Sequence, residues 1–248
     1  MKKEILILFF LPLFGFSQET LIFSEYGEGS SFNKWIEIYN PTSQDIPLDD
    51  YRYNFCWNGC DNFDWEFSIN FDTGYILPSG ETYLIAHYDA NTNLLNAANQ
   101  TTNLVGNGND VVAIYNASLN TIVDIIGVFD TANITGGWDV DGVANATEDH
   151  TMIRKPDVCS GNMGDWGLSD GSSIASEWIV GNIDDDSNIN LHNANCVNTA
   201  SIFIPTTQSF NRVLVKQIDL LGRRSNSKNK FVIYIYADGT VEKRIVID

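Results

Sequence analysis

Two acidic stretches hold the residues of this 248-residue chain best equipped for chemistry. In Asp184-Asp185-Asp186-Ser187-Asn188-Ile189-Asn190, the oxygen donors Asp184, Asp186, Asn188 and Asn190 alternate along a flexible loop. Hard carboxylate and amide oxygens are the ligands calcium prefers, so these four are the candidate metal ligands and calcium the candidate ion. The loop lacks the central glycine and bidentate glutamate of a full EF-hand, and a solvated acidic turn is the competing reading. The second stretch is Trp138-Asp139-Val140-Asp141-Gly142, followed by Glu148-Asp149-His150. Carboxylates beside a histidine can orient a base or hold a metal. No Gly-x-Ser-x-Gly or His-Glu-x-x-His accompanies them, and no catalytic residue is assigned. The alternative to a non-catalytic protein is an accessory protein of a secreted nuclease, phosphoesterase or other hydrolase, with Asp139, Asp141 and Asp149 as a divalent-metal site. Trp57, Phe63 and Trp65 offer either a sugar-stacking platform or core aromatics.

These residues sit in a chain that starts like an exported one. Lys2 and Lys3 precede an apolar run from Ile5 to Phe14, and Gly15-Phe16-Ser17 places small residues at −3 and −1 before Gln18. That pattern predicts signal-peptide cleavage between Ser17 and Gln18. The run is shorter than the ~20 apolar residues a bilayer needs, and no later segment is long and apolar enough to span, so no transmembrane anchor is expected. Export favours disulfides over thiols or zinc for Cys56, Cys60, Cys159 and Cys196. Three connectivities are open. Cys56–Cys60, closing a Cys-Trp-Asn-Gly-Cys loop, and Cys159–Cys196, tying a late loop to the end of the body, are favoured.

Charge divides the chain. From Gln18 to Thr199 there are 27 acidic and 4 basic side chains, a net of −23; from Ala200 to Asp248 there are 4 and 8, a net of +4. A body so acidic repels phosphate backbones, which excludes nucleic acid as a surface partner. It suits calcium, cationic partners or solubility outside the cell.

The elements that must position these residues read as short strands between turns. Leu21–Tyr26, Lys34–Asn40, Tyr51–Phe55, Trp65–Phe71, Thr82–His87, Val111–Tyr115 and Thr121–Val128 are rich in β-branched and aromatic residues, bounded by Gly, Asn, Asp or Pro. Ile36 and Ile38 share one face and Glu37 points the other way. Asn91–Gln100 is the only helical candidate. Asn107-Gly108-Asn109-Asp110 reads as a hairpin turn. Beyond Thr131 only Thr151–Arg154 and Glu177–Val180 look like strands; Trp138, Trp166 and Trp178 are expected to pin the rest. A linker over 198–212 leads to Val213–Ile218, Phe231–Tyr236 and Val241–Ile247, with Asp238-Gly239 as a hairpin turn. The fold class is all-β: a sandwich followed by a small C-terminal β-module.

Several stretches in this order resemble the lamin tail domain, in the branch found in secreted bacterial proteins. They are Ser24-Glu25-Tyr26, Trp35 to Asn40, Leu48 to Tyr51, Leu77-Pro78-Ser79-Gly80 before Tyr83-Leu84-Ile85, Asn107 to Val111 and Val123 to Gly127. Asp149-His150-Thr151, Arg154-Lys155-Pro156 and Glu177-Trp178 extend them. The resemblance implies an immunoglobulin-like sandwich over residues 18–197 that fills the body, leaves no room for a hydrolase module, and serves binding or adhesion through a glycan or protein ligand. Val215 to Arg223 and Tyr234 to Lys243 resemble the short form of the C-terminal sorting signal of the type IX secretion system of Bacteroidetes, including Flavobacteria. That implies a sorting module over 213–248, the secretion machinery as its partner, and a protein released or held at the outer-membrane surface. Asp130-Thr131-Ala132 resembles the short O-glycosylation site of exported proteins from the same bacteria.

Overall fold

The structure, a computed structural model, describes residues 20–60, 64–129, 131–132, 134–196, 214–218, 230–236 and 241–246. The leader with Ser17 and Gln18, Phe63, Asp130, the linker over 198–212 and the Asp238-Gly239 turn lie outside the described residues. The chain divides into two compact units, Met1–Asn198 and Thr199–Asp248.

The first unit is an immunoglobulin-like sandwich. One sheet has six strands in the order Trp178–Val180, Thr151–Arg154, Ile22–Glu28, Lys34–Tyr39, Thr82–His87 and Gln100–Thr102. The other has four: Thr121–Ile126, Val111–Asn116, Tyr51–Cys56 and Phe67–Asn70. Pairing is antiparallel except where Gln100–Thr102 joins Thr82–His87 in parallel. That edge strand is three residues long and does not show in the sequence pattern. Between the sheets lie Phe23, Tyr26, Ile36, Ile38, Tyr53, Phe55, Ile85, Val112, Ile114 and Ile125, with Trp166 arriving from a late 3-10 turn and Trp178 from the edge strand Trp178–Val180. Trp138 packs against this core, so all three tryptophans pin the long irregular stretch as expected.

The first strand departs from simple alternation. Its register against Lys34–Tyr39 shifts between Phe23 and Glu25. Phe23 and Tyr26 both enter the core, while Ser24 donates to Glu37 and Glu25 accepts from Trp35, both on the opposite face. A β-bulge opposes two residues to one, so two successive polar side chains reach the outer face. That face is covered as well. The helix Thr92–Ala97, whose Asn91 cap accepts from the Leu94 N–H, brings Leu94 onto Trp35, Leu84, Ala86 and Ala90, and Ile189 completes this second small core.

Asn107–Asp110 is not the hairpin turn the sequence suggests. It joins Gln100–Thr102 in one sheet to Val111–Asn116 in the other. Local turn chemistry cannot distinguish a hairpin from a crossing between sheets.

The second unit is a three-stranded antiparallel sheet of Leu214–Ile218, Lys230–Tyr236 and Val241–Val246, with the middle strand central.

Candidate functional site

The loop proposed as a calcium site forms a strap over the outer face of the six-stranded sheet. The Asp184 carboxylate accepts from the Ser30 backbone N–H at 2.9 Å, the Ser30 hydroxyl at 2.6 Å and the Asn33 amide at 3.2 Å. These bonds hold its carboxyl below the usual range, with the Ser30 hydroxyl leading. Gly29 permits the approach, because a Cβ there would lie 2.4 Å from Asp184 Oδ1. Asp186 accepts from Asn93 at 2.7 Å. Asn188 donates to Glu25 Oε2 at 3.0 Å. Asn190 accepts from Thr82 at 3.0 Å, and its backbone N–H donates to Glu37. The four residues thus go to separate protein partners along the strap.

Beneath the strap, Glu25 and Glu37 are register partners and both fully buried. Glu25 accepts from Trp35 Nε1 at 2.8 Å and from Asn188; Glu37 accepts from the Ser24 hydroxyl at 2.7 Å and the Asn190 N–H. Burial pushes the Glu25 carboxyl up to about 8, with the Glu37 charge adding to the rise. Burial raises Glu37 as well. Neither glutamate is in a salt bridge among the described residues, so no counter-charge offsets the upward push of burial on either carboxyl.

A second arrangement crosses the sandwich. Asp124 and Arg154 are completely buried, with Nη1–Oδ2 at 3.0 Å. Asp124 also accepts from the Phe23 and Asn162 backbone N–H groups, and Arg154 reaches Glu177 at 2.7 Å. The guanidinium lies 4.6 Å from the Trp178 ring centroid. Asp124 stands on the four-stranded sheet and Arg154 on the six-stranded one, so the pair joins the two layers.

A cleft of about 800 Å³ is built by the loops between residues 128 and 172. Trp138, Asp139, Asn145, Trp166, Asp170 and Ser172 line it, with Val128 and Ile134 supplying apolar surface. The Trp138 indole donates to the Asp110 carbonyl at 2.9 Å, and its backbone N–H donates to Thr147 at 2.6 Å. Asp110, buried and pushed up to about 6 by that burial, accepts from the Asn58 and Asn107 N–H groups and fixes the neighbouring loops.

The three residues proposed for metal chemistry are held separately, Asp139 through its carboxylate and Asp141 and Asp149 through their backbone N–H groups. Asp139 accepts from the Asn145 N–H at 2.9 Å. The Asp141 N–H donates to the Asp170 carbonyl at 2.7 Å. The Asp149 N–H donates to Glu28 at 2.7 Å. Among the described residues no three His, Cys, Asp or Glu side chains are grouped so as to hold a metal ion. Trp57 packs edge-on against Phe55 and Trp65 stacks on Phe129 at 4.5 Å, so each indole has a protein ring as its neighbour. Both favoured cysteine pairs are closed, Cys56–Cys60 and Cys159–Cys196. The cleft itself is not evident in the sequence; the tryptophan-aspartate pair at 138–139 is its only local signal.

The family model of the lamin tail domain matches residues 16–130. The match runs through the strand Thr121–Ile126, while the strands Thr151–Arg154 and Trp178–Val180, the strap and all of the cleft beyond Val128 follow it. No curated protein matches the chain.

Proposed function

We propose that the chain is an exported, non-catalytic protein whose lamin-tail-like sandwich serves binding or adhesion outside the cell, with the C-terminal module directing type IX secretion. The observation that carries the binding role is the open cleft of Trp138 and polar side chains, presented by loops on a rigid scaffold. Two disulfides suit an oxidising compartment. Among the described residues no helix is long and apolar enough to cross a membrane. In this reading the secretion machinery engages the tail and a surface glycan or protein engages the cleft, while the −23 charge of the body disfavours nucleic acid.

Two measurements test it. The full chain, applied to an array of glycans and extracellular-matrix proteins, is expected to bind a subset saturably; an array without signal removes the adhesive role. In a host with a type IX system, the full chain is expected at the surface or in the medium. A chain ending at Asn198 is expected to stay in the periplasm, and equal export of both would remove the sorting role.

A further inference from the structure

We propose that the cleft between Trp138 and Asp170 is a binding site for a neutral saccharide. The inference rests on the binding role above and names its ligand class. Among the described residues its lining contains no Lys, Arg or His, so an anionic ligand would meet carboxylates without a counter-charge. Its polar groups are mixed. Asp139 and Asp170 supply acceptor oxygens, the Asn145 amide supplies two donors and an acceptor, and the Ser172 hydroxyl supplies both. Hydroxyl groups, which donate and accept, satisfy such a set; an ammonium group, which only donates, satisfies half of it. Val128, Ile134 and the half-buried Trp138 indole add the apolar surface that the C–H face of a sugar ring needs. The volume of about 800 Å³ falls within the ~300–1,000 Å³ of small-molecule sites.

The site is also organised in advance. Asp139 is fixed through Oδ1 by the Asn145 N–H, and Asp170 through Oδ1 by the Ser172 N–H at 2.6 Å. Among the described residues both bonds leave Oδ2 of the same carboxylate to a ligand. Thr147, fully buried, accepts from the Trp138 N–H and donates to the Gly108 carbonyl at 2.6 Å, which anchors the cleft wall to the sandwich. At Gly137 a Cβ would lie 2.9 Å from the Asn145 carbonyl oxygen, so the wall closes on Asn145 only because that residue is glycine. Groups held this way lose little freedom on binding.

The test titrates the full chain with neutral gluco-, manno-, xylo- and galacto-oligosaccharides, and separately with a trilysine peptide, at low and high salt. Binding is followed by calorimetry and tryptophan fluorescence. Asp139→Asn and Asp170→Asn are the informative variants, because an amide oxygen still accepts from Asn145 or Ser172 while the exposed acceptor is replaced by a donor. Saturable binding of one oligosaccharide series, little changed by salt and weakened roughly tenfold by each variant with melting unaltered, is the expected result. Binding that the variants leave unchanged places the sugar elsewhere and overturns the inference. Salt-sensitive binding of trilysine alone overturns it in favour of a cationic partner. Array binding without any saccharide binding overturns it while leaving the binding role intact; absence of both removes the two together.

Discussion

Glu25 and Glu37 face each other inside the protein with only neutral donors around them, and this sets a pH dependence. Glu25 is held up to about 8 against an ordinary 4.5. Between those values the folded chain keeps a proton that the unfolded chain has lost. Stability from this group is therefore complete below pH ~4.5 and is lost as pH rises through ~8. Denaturant unfolding at pH 5 and pH 8.5 is expected to show lower stability at the higher pH, and Glu25→Gln is expected to remove much of the difference. An equal slope in the variant would assign the effect to the acidic surface instead. The Asp124–Arg154 pair behaves differently, because each charge has its partner at 3.0 Å in a fully buried setting. Arg154→Met leaves Asp124 without its counter-charge and is expected to cost about 3–5 kcal/mol. Adding Asp124→Leu is expected to recover part of that, measured by the same unfolding transition.

Among the elements, the strap from Asp184 to Asn190 is held through side chains committed to sheet and helix partners, with Ile189 as its apolar contact. Asn188→Ala removes one of the two donors on Glu25, the one to Oε2, and is expected to cost about 1–3 kcal/mol. It should also redden Trp35 emission as water reaches the second core. Because Asp184 and Asp186 already accept from Ser30, Asn33 and Asn93, chelator is expected to leave the melting transition unchanged; a calcium-dependent rise would assign those oxygens to an ion. Most strands are legible in the sequence, since runs such as Thr82–His87 and Thr151–Arg154 combine β-branched residues with flanking turns. The strap's purpose is not legible, because Asn188 meets Glu25 from 163 residues away and Asn190 meets Glu37 from 153. The same limit hides the cleft, whose walls are brought together by Asp110, Thr147 and the sandwich beneath them. Spacing reveals which residues are donors, whereas tertiary pairing decides whether they meet an ion, a neighbour or a ligand.

For the molecule as a whole, the two cross-links differ in reach. Cys159–Cys196 joins positions 37 apart and Cys56–Cys60 positions 4 apart. Loop-closure entropy assigns about 4 kcal/mol to the first and about 2 kcal/mol to the second. Replacing both cysteines of the long bridge by serine is accordingly expected to lower the melting temperature more than replacing those of the short one. The bulge at Ser24 has a consequence for how the chain finds its alignment. In the opening hairpin, a pairing slipped by one residue would send Glu25 among the aromatics beside Phe23 and lift Tyr26 out of them. A single extra residue thus works as a locating pin: it makes the wrong alignments of the first two strands expensive, so the remaining strands are laid against a template with one setting.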